Sequence, residues 1–589
     1  MRSLSISRPR WLLLLVLTAG LIAPLAYPPL EQIRDSLFWA MVIRDGNDLY
    51  SLYNPHHLIY LPVSRVIYLM LSQICTGCSS IMAAQIHSVA WGLIAVAATF
   101  AATRRLTGSS WLAVVASLTL IVSKTFWIYT MQVSPYVPMV GALALLALAI
   151  VLLEASPASK PRFALLVSAY VLAVLYHQAT VLLILPIWIY LWLLYPAGSR
   201  IRRMMSVALL SGVPVLLLYL AAFVHIYGVG DISFAALLKF ATRYASIPDP
   251  TFSTVANFSP DGLFSLLKYQ FENFLLPPWR LRNVAVLAFG VLLAFLLIWH
   301  LTQAIRGRSR AVRVFLLAWL TLMALFYLWA NPTEDAYLLV NMPPLLLLGI
   351  WALRDITRLP VRVPSAMFAG FVAAVALLGL TWWNLHESVL PMHASKGRFY
   401  EKARLIAEAT PKNCAIIELN QLTLQNLAYF FGRSTMDGWD LVSWFYYGKE
   451  DTIPFTWERF RIADYACIAI PARNLSPVMN VRTADGAKEP RLWFEYFSWL
   501  MALRPGDAGQ IHTRCFEVSR GVDGVSMIIL ETAKTCTHPT LAATFQALDK
   551  AVGTIDSKHG AHGFSDWFLR HRSALPPPGQ AGKRSYFPG

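Results

Sequence analysis

The sequence predicts a polytopic α-helical membrane protein followed by a small C-terminal α/β domain outside the membrane. Three observations lead to this fold class. The chain of 589 residues is 57% hydrophobic and only 14% charged, whereas a soluble chain is about 25% charged. Its apolar residues form runs of about 15–22, long enough to cross a hydrocarbon core of about 30 Å. Aromatic residues gather at the ends of these runs, as they do at membrane interfaces.

About eleven apolar runs are predicted to be transmembrane helices. The first run follows three arginines and has no small-residue cleavage site, so we interpret it as a helix with its N-terminus in the cytoplasm rather than as a signal peptide. The approximate limits of the runs are 11–25, 81–102, 111–122, 136–153, 163–176, 181–195, 207–224, 284–301, 314–328, 338–353 and 365–382.

The basic residues set the predicted orientation of these helices. The formal net charge of +17 is concentrated in short loops between apolar runs, which is the pattern of cytoplasmic loops rather than of a nucleic-acid surface. All of the basic loops lie in the cytoplasm only if residues 57–74 stay in the outer leaflet as a juxtamembrane or re-entrant helix. The clusters are Arg104–Arg105, Lys160–Arg162, Arg200–Arg203, Arg306–Arg313 and Arg354–Arg362.

With this orientation, residues 1–385 are predicted to form a transmembrane part in the inner (cytoplasmic) membrane. Residues 386–574 are predicted to form an extracytoplasmic domain. Strands at 414–419 and 465–470 with a helix at 422–431 indicate an α/β domain, and the Pro- and Gly-rich residues 575–589 are expected to be disordered. Four segments face outward: 27–80, 124–135, 228–283 and 331–337.

Six cysteines fit a protein that is partly outside the cell. Cys75 and Cys78 have CxxC spacing without a second ligand pair, so they form a local disulfide or remain two thiols, and a zinc site is not expected. Whether Cys515 and Cys536 form a second disulfide is a question that the sequence leaves undecided.

The first outward segment carries the chemistry that the sequence predicts most directly. Asp35 follows the first helix at the interface, where a carboxylate can act as general base on an acceptor hydroxyl. Asp45 and Asp48 are alternatives for this role. Arg34, His56 and His57 can offer positive charge or hydrogen-bond donors to a phosphate. The competing interpretation is a solvated polar loop.

Three other outward segments supply further candidates for binding a substrate. Lys124 and Tyr136 bound the second segment, Arg280 and Arg282 end the long one, and Glu334, Asp335 and Tyr337 form a short acidic hairpin. The cations could hold a phosphate, and the paired carboxylates a sugar hydroxyl or a divalent cation. The alternatives are an interfacial lysine, interfacial arginines and a polar turn. His177 and His225 are interpreted as packing residues.

In this layout, residues 10–385 resemble the GT-C superfamily of glycosyltransferases, on the side of the protein O-mannosyltransferases and aminoarabinose transferases of family 39. The sequence departs from the family pattern in three places: Ser36 replaces a second acid, Pro135 replaces a Glu, and Asn-Pro-His-His replaces His-Pro-Pro-Gly. The motifs that carry the resemblance are Asp35-Ser36, Asn54-Pro55-His56-His57, Phe126-Trp127 with Pro135-Tyr136, Tyr176-His177-Gln178, and Tyr337 with Pro343-Pro344.

The resemblance implies inverting transfer of a sugar from a polyprenyl-phosphate donor to a lipid, glycan or protein acceptor. Asp35 would be the catalytic base, and nearby cations would stabilise the leaving phosphate. Two other classes of protein compete: a transporter or flippase of a lipid-linked envelope precursor, and a non-catalytic assembly protein. An O-antigen-ligase-like transferase is a related alternative. The near absence of ionisable residues within the spans disfavours an ion-coupled transporter.

Overall fold

The computed structural model describes residues 8–32, 36–46, 52–242, 258–307, 309–357, 366–412, 414–418, 420–437, 467–471, 512–518 and 525–531. The chain divides into two units, Met1–Ser395 and Lys396–Gly589. Several sequence predictions fall outside the described residues, and these concern Arg34, Asp35, Asp48, Cys536 and the tail 575–589.

The first unit is built of helices. They are α1 (Arg8–Ala26), α2 (Ser36–Asp45), α3 (Tyr60–Ile74), α4 (Ser80–Thr107), α5 (Ser110–Val122), α6 (Lys124–Thr130), α7 (Tyr136–Ala155), α8 (Lys160–Tyr176), α9 (Ile184–Leu194), α10 (Ala197–Tyr227), α11 (Phe234–Ala241), α12 (Pro260–Glu272), α13 (Arg282–Ile305), α14 (Arg310–Ala330), α15 (Asp335–Leu338), α16 (Met342–Thr357), α17 (Ala366–Asn384) and α18 (Leu390–Ala394). Short 3₁₀ turns at Pro55–His57 and Gln178–Leu183 matter for the site described below.

The helices have the length and composition of membrane spans. Within the described residues, 6 helices are long and apolar enough to cross a membrane, and there are 7 if α5 and α6 count as one span. A multi-pass helical membrane architecture is therefore confirmed, while the count of about eleven spans stays a prediction. Within the predicted outer-leaflet segment 57–74, residues 60–74 form α3, whose 15 residues are not among the spanning helices.

Burial separates central helices from peripheral ones. In the apolar 18-residue stretch of each helix, 83% is buried in α7 and in the α15–α16 segment, whereas only 11% is buried in α13. The two central segments therefore pack against protein, and the apolar surface of α13 suits contact with lipid. The N-terminal ends of α7 and of the α15–α16 segment contact each other through the rings of Tyr136 and Tyr337, 5.8 Å apart.

A sharp break separates α5 from α6. Ser123 has an extended backbone conformation, and the two helices meet at 66°. The break leaves backbone N–H groups at the start of α6 without an acceptor inside the helix. The N–H groups of Lys124 and Thr125 donate to the carbonyl oxygens of Phe274 and Asn273, at 3.2 and 3.1 Å. The segment after α12 thus fixes the direction of α6.

The second unit contains α19 (Gly397–Ala409), α20 (Gln421–Phe431) and five described strands, β1 (Cys414–Glu418), β2 (Thr435–Asp437), β3 (Cys467–Pro471), β4 (His512–Val518) and β5 (Val525–Glu531). The strand order is β2-β1-β3-β5-β4. β1 pairs in parallel with β2 and β3, and β5 pairs antiparallel with β3 and β4. These elements include the helix and both strands at the predicted positions. That this unit is an α/β domain outside the membrane stays a prediction.

Cys75 and Cys78 form a disulfide, which selects the first of the two interpretations that the spacing allowed. The bond closes the turn between α3 and α4. The pairing of Cys515 with Cys536 stays a prediction, because Cys536 lies outside the described residues.

Gly141 gives a direct test of the packing between α4 and α7. A Cβ atom at this position would lie 2.8 Å from the carbonyl oxygen of Trp91, so Gly141→Ala forces the two helices apart. We expect a loss of about 1–3 kcal/mol of stability, measured as a lower thermal midpoint in lipid nanodiscs. Gly212→Ala is the matched control, because nothing lies within 4 Å of its Cβ position. Equal midpoints for the two variants would contradict this packing.

Candidate active site

Histidine and aromatic rings from separate segments meet in one group, which we call the histidine–aromatic cluster. Its inner part consists of His57, Tyr136 and His177, which are 5%, 7% and 1% exposed. Its outer part is half-buried and consists of Trp39, His56 and Tyr337. The ring centroids of His57 and His177 are 5.1 Å apart. The other separations are 5.8 Å for Trp39–His57, 5.3 Å for His56–His177, 5.6 Å for His57–Tyr136 and 5.7 Å for His177–Tyr337.

Local hydrogen bonds hold the histidines of the cluster in place. Asn54 caps the 3₁₀ turn, and its side chain accepts a hydrogen bond from the N–H of His56 at 2.9 Å. His177 ends α8 with an extended backbone, which turns the chain into the next 3₁₀ turn. The Nδ1 atom of His57 bonds to the carbonyl oxygen of Tyr176 at 2.9 Å. This bond joins the first outward segment to the end of α8.

These bonds also fix the tautomers of two rings. A carbonyl oxygen only accepts, so His57 carries its proton on Nδ1 and presents Nε2 as an acceptor. His177 has the opposite arrangement, because its Nδ1 accepts from the N–H of Ala179 at 3.3 Å. Its Nε2–H is therefore a donor, and it is buried without a hydrogen-bond partner among the described residues. The cluster thus presents one acceptor nitrogen and one donor nitrogen on adjacent rings.

Burial keeps the three imidazoles uncharged. It lowers the pKa of His57 from 6.5 to about 3, with the neighbouring His56 adding to the effect. Burial likewise lowers the pKa of His56 and, helped by His57 and His56, lowers that of His177 well below its usual value. At neutral pH the cluster therefore offers hydrogen bonds rather than positive charge. Two roles were predicted for His56 and His57, positive charge and hydrogen bonding. The structure favours hydrogen bonding.

The first outward segment is attached to the same region on both sides of Asp35. The side-chain amide of Gln132 donates to the carbonyl oxygen of Glu31 at 2.9 Å, and the hydroxyl of Ser36 donates to Gln132 at 3.3 Å. Ser36 is 3% exposed. Gln132 therefore links Glu31 and Ser36, one on each side of Asp35, to the segment between α6 and α7.

The alternative carboxylates of this segment differ in their surroundings. Asp45 is exposed and pairs with Arg44, with Nε and Oδ1 2.7 Å apart. Asp48 lies outside the described residues. The choice of Asp35, Asp45 or Asp48 as the base stays a prediction.

Lys124 and Asp335, predicted in separate segments, are neighbours. The Nζ atom of Lys124 lies 3.6 Å from Oδ2 of Asp335, and the two side chains are 12% and 18% exposed. Asp335 begins α15, the short helix that also carries Tyr337, and Glu334 precedes it as the N-cap. The acidic hairpin thus joins the cation of the second outward segment to the histidine–aromatic cluster. Among the described residues, no group of three or more His, Cys, Asp or Glu could hold a metal ion.

The two arginines of the long outward segment differ from each other. The Nε atom of Arg282 donates to Oε1 of Glu272 at 2.6 Å, and Glu272 is 3% exposed. Arg280 is exposed at the turn before α13. The structure therefore gives Arg282 a partner within its own segment.

Sequence reasoning missed three residues of this region. His177 was interpreted as a packing residue, although its place at the end of an apolar run and next to a polar Gln-Ala-Thr turn was a usable signal. Trp39 and Gln132 stand among apolar or aromatic neighbours, and the sequence contains nothing that separates them from ordinary core residues.

Solved structures show the same fold. ArnT from Cupriavidus metallidurans bound to undecaprenyl phosphate is 13% identical, with a TM-score of 0.52 over 88% of this chain and 97% of that chain. The oligosaccharyltransferase from Archaeoglobus fulgidus, tethered with an acceptor peptide containing the NVT sequon, is 12% identical, with a TM-score of 0.50 over 89% of this chain and 74% of that chain. No family model and no curated protein match the sequence.

The chain therefore shares the fold of ArnT and of the archaeal oligosaccharyltransferase. This agrees with the resemblance that the motifs of the transmembrane part carry. At such low identity, fold is what the chain shares with these structures, so its own chemistry has to be argued from its own residues.

The pair of Glu272 and Arg282 gives a test of whether Arg282 is structural. Arg282→Gln leaves a buried carboxylate without its partner and should cost about 3 kcal/mol, the low end for such pairs because the arginine is partly exposed. Thermal unfolding in nanodiscs measures the loss. The double variant Glu272→Gln/Arg282→Gln should recover most of it, and Arg280→Gln should change little. Full stability of Arg282→Gln would contradict the assignment.

Proposed function

We propose that this protein is a membrane glycosyltransferase that moves a sugar from a polyprenyl-phosphate donor to an acceptor hydroxyl at the outer face of the cytoplasmic membrane. The observation that carries the proposal is the meeting of three segments that are predicted to face outward with the turn after α8. Residues 54–57, 124–136, 176–178 and 335–337 are joined there by the contacts of His57, Tyr136, His177 and Tyr337. The fold shared with ArnT bound to undecaprenyl phosphate supports a lipid phosphate as ligand.

In the proposed reaction, Asp35 removes the proton of the acceptor hydroxyl. The oxygen then attacks C1 of the sugar in line with the bond to phosphate, and configuration at C1 is inverted. The C1–O bond breaks, and polyprenyl phosphate leaves with the electron pair. Attachment of Glu31 and Ser36 to Gln132 supports this role, because a general base has to be held within hydrogen-bond reach of the proton it removes.

Lys124 is the cation that best fits the leaving phosphate. It lies at the start of α6 and is largely buried beside the cluster, where a positive charge stabilises developing negative charge more strongly than in water. The carboxylate of Asp335, 3.6 Å away, orients the ammonium group. Arg282 is assigned no part in the reaction, because it pairs with Glu272.

The proposed orientation has the N-terminus in the cytoplasm and residues 386–574 outside the membrane, as the basic loops predict. The acceptor is a lipid, glycan or protein of the cell envelope. A transporter would place its ionisable groups near the middle of its spans. The eleven apolar runs contain no Asp, Glu, Lys or Arg, which favours a reaction at one end of the bundle.

A transfer assay tests the proposal. Purified protein in nanodiscs is given radiolabelled polyprenyl-phosphate sugars and an envelope extract, with Asp35→Asn and Asp45→Asn at matched expression. We expect transfer by the wild type, a loss of at least about 100-fold in Asp35→Asn, as is typical for a general base, and near-normal transfer by Asp45→Asn.

The two variants show which carboxylate is the base. Loss in Asp45→Asn with activity in Asp35→Asn would move the base to Asp45. Absence of both transfer and donor binding across a panel of donors would contradict the proposed function. In that case, a growth defect caused by deletion of residues 396–589, but not by Asp35→Asn, would indicate an assembly protein.

A further inference from the structure

We propose that the histidine–aromatic cluster is the subsite for the sugar of the donor and that it selects an uncharged sugar. The proposal rests on the proposed function and adds the substrate class. Its main support comes from His177. The Nε2–H of this residue is buried and has no hydrogen-bond partner among the described residues.

The hydrogen-bonding pattern of the cluster matches a hydroxyl group. His177 presents a donor and His57 an acceptor, on rings whose centroids are 5.1 Å apart. A hydroxyl both donates and accepts, so it can satisfy the two nitrogens together. A phosphate oxygen only accepts and leaves Nε2 of His57 unsatisfied. An ammonium group only donates and leaves the N–H of His177 unsatisfied. A buried group that loses its partner in this way weakens binding.

The rings around the two histidines suit the apolar faces of a sugar. Tyr136 and Tyr337 lie 5.8 Å apart and both contact His177, and Trp39 contacts His57. Ligand sites commonly combine aromatic walls with a few placed polar groups. The half-buried Trp39, His56 and Tyr337 form the open side of the cluster, while its inner part is closed.

The electrostatics of the surroundings favour a ligand without charge. His56, His57, His177 and the two tyrosines face the cluster and are neutral at physiological pH, and His87 lies behind Tyr176. Lys124 and Asp335, on the adjoining segments, pair with each other, and Glu334 lies at the N-cap of α15. A charged sugar would lose its hydration without gaining a partner of opposite charge from the imidazoles and tyrosines of the cluster. Lys124 remains the cation for the phosphate that carries the sugar.

Binding of short-chain donors tests the subsite without turnover. Farnesyl phosphate, its neutral hexose derivative, its amino-hexose derivative and its hexuronic acid derivative are titrated against the wild type in nanodiscs. We expect the neutral hexose derivative to bind about tenfold more tightly than either charged derivative, since each charged sugar leaves part of the site unpaired. Equal or tighter binding of a charged derivative would overturn the selectivity.

Variants of His177 test whether the sugar of the donor binds at the cluster. His177→Phe removes the donor but keeps a ring, and should weaken the neutral derivative about tenfold while binding of farnesyl phosphate itself is unchanged. His177→Gln, which restores a donor near Nε2, should recover part of the affinity. His225→Phe is the control, because His225 is exposed and contacts Tyr53 rather than the cluster.

A second variant covers the case in which His177→Phe fails to fold. Tyr337→Leu alters the half-buried side of the cluster and should also weaken the neutral derivative but not farnesyl phosphate. If these variants weaken farnesyl phosphate as much as its sugar derivative, the cluster holds the phosphate and the inference is wrong. Donor binding without transfer would contradict the proposed catalysis and leave the subsite standing.

Discussion

The break between α5 and α6 at Ser123 is the constraint on which the rest of the site depends. A helix that bends by 66° inside an apolar bundle has to satisfy the backbone groups that the bend releases. It does so through the carbonyl oxygens of Phe274 and Asn273. The redirected α6 brings Lys124 against Asp335, and the residues that follow attach the first outward segment through Gln132 and begin α7 at Tyr136.

The candidate site combines two electrostatic environments. On one side, Lys124 and Asp335 form an ion pair that is largely buried. On the other, three imidazoles are held neutral by burial. Hydrogen bonds to the backbone of α8 and its turn order His57 and His177, and a hydrogen bond to the side chain of Gln178 orders His56. A sugar joined to a phosphate has the same division into a neutral part and a charged part. Tyr337 belongs to the cluster and lies two residues from Asp335, so it links the two environments. A donor whose sugar contacts the cluster and whose phosphate contacts Lys124 therefore has a fixed orientation.

Much of the local structure could be predicted from the sequence. The apolar run at 111–122 is the helix α5, Ser110–Val122, and the run at 163–176 is the helix α8, Lys160–Tyr176, because a long apolar run favours a helix locally. The convergence of the segments was less accessible. His57 and Tyr176 are 119 residues apart in sequence, and no local pattern encodes their contact. The role of His177 was missed because a tautomer depends on hydrogen bonds that only the folded chain makes.

The central claim is that the histidine–aromatic cluster and Lys124 together hold the donor. Cryo-electron microscopy of the protein in nanodiscs with a farnesyl phosphate hexose tests it most directly. The account predicts sugar density against Tyr337 and within hydrogen-bond distance of His177, with the phosphate beside Lys124. Density for the phosphate among the three histidines, or for the whole ligand beside Arg280 and Arg282, would contradict it.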